Sequence, residues 1–325
     1  MDSSGSFPIP GSSQYVREED CVVNELQQFG LLNIDHSSCY MNSVILLLHR
    51  IRMKDGMLDN DYCSSQITRN YKRSIITKLV REVLEAMPSN QAFSLRNLIA
   101  GWHHIDLQPR VSLGMHEDAQ EVLATLLNNM LLKASRSDSQ QFITKFQGHL
   151  SCRSTRDCMD QEVQDFYVGQ CDISPFFHII GLDNSSSDPV NIREKLSEFL
   201  NDTFESRCQA IMCKKRIRQA KIKVTPGKYT FVALNRNLDN QSKMMQKVVL
   251  EPFNSQVDAI TQDPVAVISH AGSFASGHYI LYNKINSDWF VNDDNKKLFH
   301  SQTSPFDQNY LYRETADIFV FENRY

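Results

Sequence analysis

The chain has 325 residues, with 34 Lys+Arg against 38 Asp+Glu (formal charge −4) and 41% hydrophobic residues. These ordinary globular values exclude wholesale disorder and fibrous repeats, and the slightly acidic balance argues against a dedicated nucleic-acid binder. The longest apolar run, Val44–Leu48, is far too short to span a membrane, and Met1–Pro10 lacks the basic-then-apolar order of a secretory signal.

The eight cysteines are Cys21, Cys39, Cys63, Cys152, Cys158, Cys171, Cys208 and Cys213. Without a secretory signal they read as thiols or metal ligands rather than disulfides, so the chain is expected inside the cell. Residues 1–20 are read as a flexible tail whose first residues are rich in Ser, Gly and Pro. From Tyr71 to Met87, and again from Glu117 to Leu132, apolar residues recur on one face of a helix. The second half changes period. Strand-like runs fall at Lys228–Leu234, Pro264–Ser269, His278–Tyr282, Trp289–Asn292 and Asp317–Phe321, with a short helix at Ile192–Leu200. Helices first and strands later predict an α+β fold rather than βαβ alternation.

Ser37 or Ser38 can cap a helix that starts near Cys39 and continues through Val44–Leu48. A thiol at a helix N-terminus meets the positive end of the dipole, which favours the nucleophilic thiolate. The plainer alternative is a buried structural cysteine. A cysteine nucleophile needs an imidazole to take its proton, and the imidazole needs a partner to hold its tautomer. His278 opens one strand-like run and Asp293 closes the next, so a hairpin can bring them together; Asp294 is the alternative carboxylate. Gly272 and Gly277 would let a substrate backbone approach closely. The alternative here is two ordinary strands with a surface His and a turn.

Taken together, these segments resemble the ubiquitin-specific protease family. The Cys box corresponds to Gly30-Leu31-Leu32-Asn33 followed by Ser38-Cys39-Tyr40-Met41-Asn42-Ser43. The His box corresponds to His270-Ala271-Gly272, Gly277-His278-Tyr279, Trp289 and Asp293-Asp294. A middle helix motif corresponds to Asp118-Ala119-Gln120-Glu121-Val122-Leu123. The resemblance covers about residues 28–325. It implies a papain-like cysteine protease fold with thumb, palm and fingers. The catalytic domain would span 21–325: helical thumb at about 30–140, fingers and part of the palm at 146–235, palm at 236–325. The implied reaction is hydrolysis of the isopeptide or peptide bond after the C-terminal Gly-Gly of ubiquitin. Cys39 is then the nucleophile, His278 the base and acid, and Asp293 the orienting carboxylate. His270, Gly277, Tyr279 and Asp118 are the implied substrate-binding residues. The implied enzyme is a thiol-dependent ubiquitinyl hydrolase, monomeric, cytoplasmic or nuclear, with ubiquitin or ubiquitinated proteins as partners and no nucleic acid or membrane.

The chain departs from the family in several places, among them Leu46 where a Gln is usual seven residues after the Cys. The oxyanion Asn stands five residues before the nucleophile in the family; Ile34 stands there in this chain, and Asn33 stands six before. One inserted residue with Asn33 bulging into the oxyanion site accounts for this; the backbone N–H of Cys39, or His36, is the substitute if Asn33 falls short. The family's zinc-holding Cys-x-x-Cys knuckles are widened to Cys152-x5-Cys158 and Cys208-x4-Cys213, with Cys171 as a fifth candidate. A structural zinc or packing remnants are the two readings. The chemistry itself requires no cofactor. A SUMO or other ubiquitin-like-modifier isopeptidase, or a catalytically weak ubiquitin-binding pseudoenzyme, are the alternatives. The basic run Lys214–Lys223 is read as a strand with one solvated face.

Overall fold

The computed structural model describes residues 31–55, 71–87, 93–131, 143–150, 161–163, 167–168, 171–172, 176, 178–182, 188–207, 217–236, 244–273, 276–294, 299–301 and 315–323, save Ile34, Asp106 and Asn286. The tail expected at residues 1–20 and the cysteines Cys21 and Cys63 lie outside them.

The first part of the chain is helical. It runs β1 (Leu31–Leu32), α1 (Cys39–Asp55), α2 (Tyr71–Ala86), β2 (Phe93–Ser94), α3 (Arg96–His104) and α4 (Ala119–Leu131). Helix α2 follows its sequence pattern. Ile76, Val80, Val83 and Leu84 are buried, while Lys78–Glu82 and Arg81–Glu85 form i,i+4 ion pairs on the outer face. Such pairs add only about 0.3–0.5 kcal/mol each, so burial carries the helix. Helix α4 is capped by Asp118, whose Oδ1 accepts the Gln120 N–H at 2.7 Å and whose carbonyl accepts from Val122.

Helix α1 differs from both. Every residue from Cys39 to Arg50 is buried, including Asn42, Ser43, His49 and Arg50. A helix buried all round sits inside the core rather than on it. It packs on α4 on one side and on a strand of the large sheet on another. Arg50 donates to the Lys284 carbonyl at 2.9 Å and ties the helix to that sheet.

The strands follow in order: β3 (Lys145–Leu150), β4 (Gln161–Val163), β5 (Tyr167–Val168), β6 (Cys171–Asp172), β7 (His178–Gly181) and β8 (Val190–Asn191). Helix α5 (Ile192–Asn201) precedes β9 (Thr203–Arg207), β10 (Ile217–Thr225), β11 (Tyr229–Asn235) and β12 (Val248–Val249). Helix α6 (Ser255–Ile260) precedes β13 (Asp263–Ser273), β14 (Ser276–Ile285), β15 (Asp288–Asn292), β16 (Phe299–Ser301) and β17 (Ala316–Glu322). One four-stranded sheet has the order β4-β3-β10-β9; one seven-stranded sheet has the order β16-β15-β14-β13-β17-β11-β7. In β10 the exposed Lys221 and Lys223 alternate with half-buried Ile222 and Val224, a solvated face at the end of the basic run, whose residues 214–216 lie outside the described residues.

The large sheet separates two cores. In β11, Tyr229, Phe231 and Ala233 join the core shared with α1–α4, while Val232 and Leu234 join a second core with α5 and α6. Six successive residues of β11 are therefore buried, because the strand is central and both its faces are covered. Each fully buried Leu, Ile, Val or Phe contributes about 1.5–3 kcal/mol.

Candidate active site

Cys39 is the first residue of α1 and has no exposed surface. The Ser38 carbonyl accepts from Asn42 N at 3.0 Å, which places the N-cap at Ser38. The N–H groups of the first turn then have no acceptor within the helix, an arrangement suited to an anion. The preceding loop is held by two side chains. Asn33 Oδ1 accepts from Ser38 N and Ser38 Oγ, both at 3.1 Å. Asp35 Oδ1 accepts from Ser37 N at 3.2 Å and Ser38 N at 3.1 Å, while its Oδ2 accepts from Gly114 N at 2.8 Å. Burial pushes the Asp35 carboxyl up, but the Gly114 N–H, followed by the Ser37 and Ser38 donors, outweighs it and lowers the group to about 2. His36 turns through φ 57°, the left-handed region where glycine is cheaper.

The β14–β15 pairing places the histidine. Its register puts Leu281 opposite Asn292 and Tyr282 opposite Val291. Continuing one step sets Asp293 diagonal to His278 on one face of the sheet. His278 Nε2 meets Asp293 Oδ1 at 2.5 Å and lies 3.9 Å from Asp294 Oδ2. The other ring nitrogen is left for Cys39. A hydrogen bond with the Cys39 thiol raises His278; burial opposes it, and Asp293 adds to it, bringing the imidazole to about 9. The imidazolium is thus the stable form at neutral pH. Asp294 turns away at φ 49°: Oδ2 accepts from Asn33 Nδ2 at 2.9 Å, Oδ1 from Asn42 Nδ2 at 2.8 Å, and its carbonyl from Leu31 N at 3.3 Å.

The four residues read as substrate-binding, Asp118, His270, Gly277 and Tyr279, line one cavity of about 90 Å³. The Gly277 carbonyl lies 3.9 Å from Cys39 Sγ. A Cβ at Gly277 would lie 2.1 Å from His270 Nε2 and 2.7 Å from the Ala271 carbonyl, so only glycine fits. Tyr279 stacks on His270 with ring centroids 4.2 Å apart. Sequence reasoning missed what stands behind His270. Its Nδ1 is 3.9 Å from Asp317 Oδ2, and Asp317 Oδ1 is 3.6 Å from the guanidinium of buried Arg236. Arg236 in turn donates to the carbonyls of Ala316, Met244 and Gln246. An isolated Arg after an apolar strand and an Asp opening another carry no spacing signal. Asp35 and its partner Gly114 were missed for the same reason.

Cys152, Cys158, Cys208 and Cys213 lie outside the described residues, as does the side chain of Cys171. Among the described residues, the only group of three His, Cys, Asp or Glu ligand atoms within 4.8 Å is His278, Asp293 and Asp294.

A buried thiol at a helix start, an imidazole on the facing sheet and a carboxylate behind it are arranged as in a thiol hydrolase, on a papain-like fold. The chain belongs to the ubiquitin carboxyl-terminal hydrolase family, whose model matches residues 29–319. Members are cysteine-dependent ubiquitin hydrolases, and their chemistry needs no cofactor. The fold is similar to that of a chain in the SAGA DUB module, Ubp8/Sgf11/Sus1/Sgf73 bound to monoubiquitin, with TM-score 0.57 and 14% identity over 93% of this chain and 70% of that one. No curated protein matches the sequence.

Proposed function

We propose that this chain hydrolyses the bond that follows the C-terminal Gly-Gly of ubiquitin, with Cys39, His278 and Asp293 as its catalytic residues. The observation that carries the reading is the convergence of Cys39, His278 and Asp293: Cys39 Sγ lies 3.9 Å from the carbonyl of Gly277, the residue before His278, and His278 Nε2 meets Asp293 Oδ1 at 2.5 Å. Cys39 Sγ attacks the glycine carbonyl carbon, and the carbonyl electron pair moves onto oxygen. His278 holds the thiol proton and passes it to the leaving amine as the C–N bond breaks. Water then attacks the thioester, giving its proton to His278; the C–S bond breaks and the thiol is restored. Asp293 keeps Nε2 engaged so that the other ring nitrogen points at sulfur.

The oxyanion falls at the start of α1, where the Cys39 backbone N–H serves it. Asn33 is the second donor. Its amide carries two hydrogens, and one is spent on Asp294. The cavity lined by Asp118, His270, Gly277 and Tyr279 takes the glycine tail, since a backbone without side chains suits so narrow a space. Ubiquitin rather than another modifier follows from the family.

The test is hydrolysis of a ubiquitin–aminomethylcoumarin substrate by the wild type and Cys39→Ala, beside probes carrying ubiquitin, SUMO and other modifiers. The expected result is cleavage by the wild type, none by C39A, and a covalent adduct with the ubiquitin probe. C39A should retain ubiquitin binding. Undiminished cleavage by C39A, or an adduct with a different modifier alone, would sink the reading.

A further inference from the structure

Asp35 stands in the stretch where this chain departs from the family's Cys box, and the reaction as written gives it no task. Its carboxylate joins two segments 79 residues apart. Oδ1 accepts from Ser37 N and Ser38 N, immediately before Cys39. Oδ2 accepts from Gly114 N at 2.8 Å, in the loop between Val111 and Asp118. That loop ends in His116, Glu117 and Asp118, which line the cavity shared with Gly277 and Tyr279. Gly114 adopts φ +82°, and Leu113 and Met115 on either side are exposed, so few apolar contacts anchor the loop here.

We propose that Asp35 is a positioning residue that fastens the 111–118 loop to the nucleophile loop, so that the wall of the tail-binding cavity and Cys39 keep a fixed separation. This rests on the reading of the cavity as the place of the ubiquitin tail. Two observations support a tie over a simple helix cap. The two oxygens are divided between two segments. The Gly114 N–H is also the largest influence holding the carboxylate ionised against its burial. An ionised acceptor makes stronger hydrogen bonds than a neutral one. Loss of one such bond frees the loop without touching the reacting atoms, so it weakens tail binding and spares the chemistry.

Asp35→Asn separates the two tasks. Asn keeps Oδ1 for the Ser37 and Ser38 amides but sets an NH₂ against the Gly114 N–H. The expected result for D35N on ubiquitin–aminomethylcoumarin is a KM raised about tenfold with kcat within about twofold. Alkylation of Cys39 by iodoacetamide should run at the wild-type rate. Amide exchange at Gly114 should quicken while that at Ser38 does not. Asp35→Glu, which restores an ionised acceptor on a longer arm, should recover part of the KM loss. Unchanged KM with unchanged Gly114 exchange overturns the proposal. A fall in kcat and alkylation rate at constant KM overturns it too, because Asp35 would then act on Cys39 alone. If the wild type does not cleave ubiquitin, the functional reading fails, and the Gly114 exchange rate in D35N still decides whether the tie exists.

Discussion

The side-chain amide of Asn33 donates to the carboxylate of Asp294 at 2.9 Å, across 261 residues of chain. The same carboxylate accepts from Asn42 on the nucleophile's helix, while the adjacent Asp293 holds His278. Two neighbouring acids thus serve opposite walls of the site: one bonds to His278, the other ties the sheet to the loop and helix that carry Cys39.

Asp294→Asn tests that tie. Asparagine tolerates the φ of 49° but offers one acceptor oxygen where two amide donors need one each. One of Asn33 and Asn42 is left unsatisfied, costing about 1–3 kcal/mol of stability. With Asn33 loosened from the oxyanion, kcat should fall about 10–10²-fold at nearly constant KM. A wild-type kcat in D294N would show that Asp294 does not hold Asn33 for the reaction.

Asp293→Asn should lower kcat about 10²–10⁴-fold, since the imidazole loses the partner that fixes its tautomer. Stopped-flow traces should show slow acylation with unchanged substrate binding.

The pH dependence follows from His278. Its folded value, about 9, lies above the ordinary 6.5, so stability from the imidazolium is fully present below about 6.5 and is lost as pH rises through about 9. The alkaline limb of kcat/KM should fall near pH 9. Because the bond to the Cys39 thiol is the largest cause, C39A should move the His278 titration downward, read by NMR of the ring protons. A titration unmoved in C39A would show that the thiol does not hold the ring.

His178 works in the opposite direction. Its ring stacks on Phe199 at 3.6 Å, and burial pushes it down from 6.5 to about 3. The unfolded chain takes up a proton near 6.5 that the folded chain refuses, so stability falls as pH drops from about 6.5 toward 3. The slope from this residue is about 1.4 kcal/mol per pH unit within that window. His178→Phe keeps the stacking surface and should flatten the acid side of a Tm-versus-pH curve; a curve of unchanged steepness would count against it.

Gly277→Ala adds a Cβ where His270 Nε2 and the Ala271 carbonyl already stand. Both must move, and with them the Gly277 carbonyl beside Cys39 Sγ. Activity should drop at least about 10²-fold, as misplacement near 1 Å does. Ubiquitin-probe labelling measures it directly.

Much of this was legible in the sequence because local physics carried it. The period-2 runs became β11, β13, β14, β15 and β17 within a few residues, and the 3.6-residue patterns became α2 and α4. The start of α1 at Cys39 followed from serine ahead of an apolar run, although the Ser38 hydroxyl turns to Asn33 Oδ1. The His278–Asp293 pairing followed from two strands joined by a short turn. The Lys228–Leu234 run is buried on both faces in β11, because neighbouring elements cover both sides.

The sequence by itself determined the order and type of the elements and pointed to the candidate catalytic residues, since helix starts and hairpins depend on near neighbours along the chain. Only the tertiary structure decided how Asn33 divides its amide between Ser38 and Asp294, that Asp35 reaches Gly114, and that Arg236 and Asp317 stand behind His270. Those contacts join segments tens to hundreds of residues apart. A buried polar atom finds whichever partner the packing brings within 3 Å, and no local pattern encodes which one that is.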